Sequence, residues 1–174
     1  VYGHVIHSLS PLNTSLKTFT LDAEDMTIRR VRHNDKDISF DHSGDKLHIT
    51  LDNEIGWNDT LNVRIDYTSF PRVGAFFVSP DEIYPDKPWQ AWTQGEDTDN
   101  HHWVPMYDYP NERNTFEILL TVDKKFKAVS NGELISVKDN SDGTHTWHWH
   151  EHFPMVGYLM SFVVGEYVKI EDSY

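Results

Sequence analysis

The feature that most constrains this chain is a period of two. Leu61, Val63, Ile65 and Tyr67 alternate with Asn62, Arg64 and Asp66, and Leu47, Ile49 and Leu51 alternate with Lys46, His48 and Thr50. Phe116, Ile118, Leu120 and Val122 share a face opposite Thr115 and Glu117, and Tyr158, Met160, Phe162 and Val164 repeat the pattern near the end. Successive side chains of a strand point to opposite sides of the sheet, so this alternation specifies strands with one apolar and one solvated face. Asn131-Gly132, Asp142-Gly143 and Ser43-Gly44-Asp45 punctuate the runs. Tight hairpin turns need positive φ at their central residues, so Ser141-Asp142-Gly143-Thr144 predicts a hairpin. The best helical candidate is about one turn, Thr98 to His102, entered by Asp97. Many short strands at about ten-residue spacing predict an all-β sandwich or curved sheet.

Composition narrows the function classes. A length of 174 residues predicts a single domain with room for a core. The net charge of −13 argues against a nucleic-acid binder, which would carry a basic face. No cysteine is present, so disulfides and thiolate zinc sites are excluded. No run of 18 apolar residues predicts a membrane span. The chain opens at Val1 without a Met, which predicts a piece of something longer and leaves the compartment open. The sequons Asn13-Thr14-Ser15 and Asn58-Asp59-Thr60 matter only in a secreted eukaryotic protein.

Eleven histidines draw attention to metal binding. His148, His150 and His152 fall at i, i+2 and i+4 of a strand, on one face, with Trp147 and Trp149 on the other. The stronger expectation is a core-facing tryptophan pair with histidines toward solvent or a neighbouring strand. His101 and His102 are adjacent, point different ways in regular structure, and are expected to be structural. A protease helix needs His-Glu-x-x-His; His150-Glu151-His152 lacks that spacing and the pattern occurs nowhere in the chain. No Gly-x-Ser-x-Gly elbow or Gly-rich phosphate loop is present either.

The segment from Ser79 to Asn114 breaks the strand rhythm and is rich in Pro, Asp, Trp and Gly. Long loops on a β scaffold often carry function. Within it, Trp89-Gln90-Ala91-Trp92-Thr93-Gln94-Gly95-Glu96 is read as a strand ending at a glycine on the sheet rim. Gln94 and Glu96 would lie on one side at the mouth of the loop, where a carboxylate suits a cation such as an ammonium group.

Together, Trp92-Thr93-Gln94-Gly95-Glu96, the run Trp103 to Glu117, Ser130-Asn131-Gly132 and Tyr158 to Gly165 resemble the N-terminal domain of the M1 zinc metalloaminopeptidases. These are the gluzincins that include aminopeptidase N and leukotriene A4 hydrolase. Leu21 to Val31 is similar to that family's early paired strands, so the resemblance covers essentially the whole chain. It implies a large, saddle-shaped, antiparallel or mixed β-sheet sandwich with long loops and little helix. It implies one β domain over 1–174, lacking the family's first strand and the downstream catalytic domain on which it would pack. By the same resemblance Glu96 would bind the α-ammonium of a peptide substrate's N-terminus and Gln94 would line or support that pocket. The resemblance implies that Glu96 acts with a carboxylate of the catalytic domain; two anionic groups ahead of the scissile bond would select a free amine and set the first carbonyl in place. Zinc would belong to the full-length enzyme, with no metal, no cofactor and no catalytic residue expected in this piece, which should be inert alone. No nucleic-acid or membrane partner is expected.

The sequence departs from the family around the aromatic-Pro pair. His101 and His102 stand where an Arg is usual, Met106 replaces a common Cys, and Asp108-Tyr109-Pro110 replaces Asp-Glu-Pro. Two other readings stay open: a non-catalytic relative acting as an interaction scaffold, and a carbohydrate-binding β-sandwich module presenting Trp89, Trp92 or Trp103.

Overall fold

A computed structural model describes residues 1–57, 59–170 and 172. Asn58, and with it the second sequon, lies outside the described residues. Strand accounts for 57% of the structure and helix for 4%, and every strand pair between the named elements is antiparallel. The all-β expectation therefore holds. No helix among the described residues is long and apolar enough to cross a membrane. The chain divides into two compact units, Val1–Gly74 with Thr98–Asp108, and Ala75–Asp97 with Tyr109–Tyr174.

The first unit holds β1 (Tyr2–Leu9), β2 (Leu16–Asp22), β3 (Met26–His33), β4 (Lys36–Asp37), β5 (Ser39–Ser43), β6 (Lys46–Ile55) and β7 (Leu61–Ser69). They form two sheets, ordered β1-β7-β3-β4 and β2-β6-β5. The alternation in the sequence builds its core. Leu47, Ile49 and Leu51 of β6 and Leu61, Val63, Ile65 and Tyr67 of β7 are all at most 4% exposed. Each such side chain contributes about 1.5–3 kcal/mol by leaving water. Gly44 takes a positive φ in the β5–β6 hairpin, as its turn chemistry predicts. The β3–β4 turn uses Asn34 and Asp35, also at positive φ, without a glycine. Asn and Asp tolerate this conformation better than other side chains.

The second unit holds β8 (Ala75–Val78), β9 (Gln90–Thr93), β10 (Arg113–Asp123), β11 (Lys127–Ser130), β12 (Glu133–Asp139), β13 (Thr144–Val156) and β14 (Phe162–Gly165). Its sheets are ordered β10-β13-β12 and β11-β14-β9-β8. Asp142-Gly143 closes the β12–β13 hairpin, with the Asp142 carboxylate accepting from the Thr144 N–H at 3.1 Å. Asn131-Gly132 does something else. It carries the chain from β11, paired with β14, to β12, paired with β13, so this turn switches sheets. The strand expected from Tyr158 begins only at Phe162, because Gly157–Leu159 forms a 3₁₀ turn.

Candidate functional site

The rim that carries Gln94 and Glu96 lies in the second unit, at the end of β9. That strand is held on both sides: Trp92 pairs with Phe76 of β8 and with Val163 of β14. The Trp92 and Phe76 rings also stack, with centroids 5.6 Å apart. Regular structure stops at Thr93, whose buried hydroxyl oxygen accepts the N–H of Phe162 at 2.9 Å. Beyond it, Gln94 is exposed, Gly95 is buried and Glu96 is exposed at the start of a turn; the Glu96–Asp97 peptide is cis.

Asn131 supports this end of the sheet from behind. Its side-chain oxygen accepts the Ser161 N–H at 2.8 Å and its side-chain amide donates to the Leu159 carbonyl at 3.1 Å. The Ser130 hydroxyl donates to the Ser161 carbonyl at 2.7 Å. A line of hydrogen bonds thus runs from the sheet-switching turn through Ser161 and Phe162 to Thr93, the residue before Gln94. These side-chain bonds add to the strand pairing that holds the rim.

The His-rich strand is β13. His148 contacts the Glu117 carboxylate at 2.7 Å, His152 sits 3.7 Å from Glu133, and the His150 and His152 rings lie 3.8 Å apart. These histidines face acids on the neighbouring strands β10 and β12. Among the described residues they do not form a group able to hold one ion. The Trp149 ring N–H donates to the Ala128 carbonyl at 3.1 Å, whereas the Trp147 ring N–H is buried without a partner. Of the tryptophans offered for sugar binding, Trp103 is 4% exposed in the core of the first unit and cannot serve; Trp89 is half exposed.

His101 and His102, expected to be structural, lie against a group of carboxylates. The turn predicted over Thr98–His102 is a 3₁₀ turn over Asn100–His102, and it stacks the two rings at 4.6 Å. The 98–108 segment is stitched to the end of β2. Asp22 and Met106 exchange backbone bonds of 2.7 and 3.0 Å, and the Glu24 N–H donates to the His101 carbonyl at 3.1 Å. His101 Nδ1 lies 3.0 Å from the Asp108 carboxylate and His102 Nδ1 2.9 Å from that of Asp25. Glu24 Oε2 is 3.8 Å from Nε2 of each ring. Asp25 reaches this place from a left-handed backbone, φ 53°.

Electrostatics here are dominated by carboxylates. Burial works against the charged form of His101, but the Asp108 carboxylate outweighs it and the imidazole pKa is raised. Burial likewise opposes ionisation of Asp25, and hydrogen bonds from His102 and Arg72 overcome it, holding its carboxyl below the usual range. Lys46 is paired with Asp22 and Asp45, and its pKa is raised by the Asp22 bond. The roles of Glu24, Asp25 and Asp108 here were invisible in the sequence, since they lie 77 and 7 positions from their histidines. The one available signal was the His101-His102 pair standing where the resembled family has an arginine.

The sequence matches the family described as the Peptidase M1 N-terminal domain over residues 2–159. The chain belongs to that family. A probable aminopeptidase 1 from Saccharolobus solfataricus is 26% identical to this M1 domain over 93% of the chain and 20% of the relative. A leukotriene A-4 hydrolase from Xenopus laevis is 27% identical over 88% of the chain and 27% of the relative. The chain thus spans about a fifth to a quarter of the length of these curated relatives. Among solved structures, an M1 zinc metallopeptidase from Deinococcus radiodurans shares the fold with a TM-score of 0.81. It is 20% identical, and the match covers 94% of this chain and 37% of that one.

Proposed function

We propose that this M1 domain serves a zinc aminopeptidase by presenting Glu96, supported by Gln94, to the α-ammonium of a peptide substrate. The observation that carries the reading is the rim itself. Two exposed polar side chains flank a buried glycine at the end of a strand whose last residue is fixed by the Thr93–Phe162 bond. A carboxylate three residues from a fixed strand end starts from a restricted set of positions, which lowers the cost of ordering it around an amine. A related D. radiodurans M1 structure carries a bound Tyr-Ser-Ala substrate, which supports a peptide ligand for the family.

The residues of this chain do not fit the family's catalytic zinc, since His-Glu-x-x-His does not occur among the 174 residues. That metal would be held by a catalytic domain elsewhere in the parent enzyme, and the chain alone would be inactive. Phe77, Ile83, Tyr84 and Trp89, all at least half exposed in the second unit, would be covered by such a domain.

The test is Glu96→Ala in the intact enzyme. A charge-assisted hydrogen bond contributes about 1.5–3 kcal/mol, so kcat/KM on free-amine substrates should fall roughly 10–150-fold. Zinc content should not change, and substrates with a blocked amine should show no comparable loss. Unaltered kinetics in Glu96→Ala would overturn the role.

A further inference from the structure

We infer that Glu24, His101 and His102 form a divalent-cation site in the first unit, of a kind that suits Zn2+. This goes beyond the aminopeptidase reading and does not depend on it. One ligand atom from each residue can be chosen so that all three lie within 4.8 Å of one another, and among the described residues this is the one such group.

The hydrogen bonds around the rings decide where their lone pairs point. Asp25 and Asp108 sit at the Nδ1 atoms, 2.9 and 3.0 Å away, and a carboxylate only accepts. Each Nδ1 therefore carries the hydrogen, and in the neutral ring each Nε2 carries the lone pair. Both Nε2 atoms lie 3.8 Å from the same carboxylate oxygen, Glu24 Oε2. That distance is too long for a hydrogen bond. It leaves both Nε2 atoms near one carboxylate oxygen without a hydrogen bond to it.

A cation resolves the arrangement. Bonds of about 2.0–2.2 Å from a tetrahedral zinc place its ligand atoms roughly 3.3–3.6 Å apart; each Glu24–imidazole pair, at 3.8 Å, is a few tenths of an ångström wider, and the two rings, with ligand atoms within 4.8 Å, would also draw together. Glu24 can close its part of that gap, because its side chain is 39% exposed while the rings are 15% and 10% exposed. The carboxylates behind both histidines are the usual outer support of a metal-bound imidazole, fixing ring orientation and raising basicity. One coordination position would remain for water.

Charge balance points the same way. Asp22, Glu24, Asp25, Asp45 and Asp108 gather around two cations, Lys46 and Arg72. One oxygen of Asp108, a side chain 1% exposed, has no hydrogen-bond partner. Five carboxylates against two fixed cations leave a negative excess that a divalent ion would reduce. The ion would also clamp the β2–β3 connection to the 98–108 segment, already joined by the Glu24–His101 backbone bond.

The test is calorimetric titration of the chelator-treated 174-residue chain with Zn2+ at pH 7.5, with Co2+ absorption as a second readout. The expected result is one tight site with a tetrahedral Co2+ spectrum. E24Q and H102Q should each weaken it by about 100-fold or more. D25N and D108N should each weaken it about 10–100-fold. H148N, on the His-rich strand, should leave it unchanged. Glu24 is part-exposed, so E24Q should keep the wild-type circular dichroism and remains informative even if H102Q fails to fold. Absence of tight binding, or binding that survives E24Q and is lost in H148N, would overturn the inference.

Discussion

Gly132 and Gly143 offer a matched pair for testing whether the sheet-switching turn is as constrained as it looks. Both have left-handed backbones, with φ of +82° and +89°. Alanine there costs about 1 kcal/mol for the backbone alone. They differ in surroundings. A Cβ at Gly143 meets nothing within 4 Å, whereas at Gly132 it would lie 2.1 Å from the His150 carbonyl oxygen and 2.5 Å from its carbon. Relief requires a movement of more than 1 Å. His150 cannot yield easily, since β13 is paired at that residue with Glu117 of β10 and Glu133 of β12. Forced overpacking of this kind adds about 1–3 kcal/mol. For a unit of this size 1 kcal/mol moves Tm by about 4–8 °C. Gly143→Ala should therefore lower Tm by roughly 4–8 °C and Gly132→Ala by roughly 8–32 °C. Thermal unfolding followed by tryptophan fluorescence reads this directly, because Trp147 and Trp149 lie on β13. Equal shifts for the two variants would refute the steric argument.

Two further outcomes are expected. Trp147→Phe removes a buried donor that has no partner, so it should change stability by less than about 1 kcal/mol or raise it, whereas Trp149→Phe loses a bond to Ala128 and should cost about 1 kcal/mol; urea denaturation compares them. His7 is held below its ordinary pKa, first by burial, with its bond to the Pro105 carbonyl at 2.8 Å pulling the other way. The unfolded chain then binds the extra proton more readily, so stability is full above about pH 6.5 and declines as pH falls through that value. His7→Gln should flatten the decline between pH 7.5 and 5.5 in denaturation midpoints; an unchanged slope would count against it.

Much of the fold was legible because strand alternation reports burial directly. β6 and β7 follow the apolar face read from Leu47 to Tyr67 residue by residue. Phe116, Ile118, Leu120 and Val122 share a face as read, but remain only half-buried. The strand end was read at the glycine of Thr93-Gln94-Gly95-Glu96, and pairing stops two residues earlier, at Thr93. What sequence could not show was partnership. Asn131-Gly132 has the chemistry of a turn, yet nothing local says that it changes sheets. His101 and His102 were expected to be structural, but their partners could not be read, because Glu24 and Asp25 follow β2 and are brought close by the Asp22–Met106 bridge.

The interleaving of the two units also sets an order of assembly during synthesis. The first unit has all of its strands and its returning segment once residue 108 has been made. The second has not: β8 and β9 emerge early, but β9 lacks its other neighbour until Phe162–Gly165 follows about 70 residues later. Long-range pairing of this sort is slow, and an unpaired edge invites wrong partners. The rim that carries Gln94 and Glu96 would therefore be among the last parts of the chain to take its final form, and a ribosome stalled between β9 and β14 would display that edge to the cell.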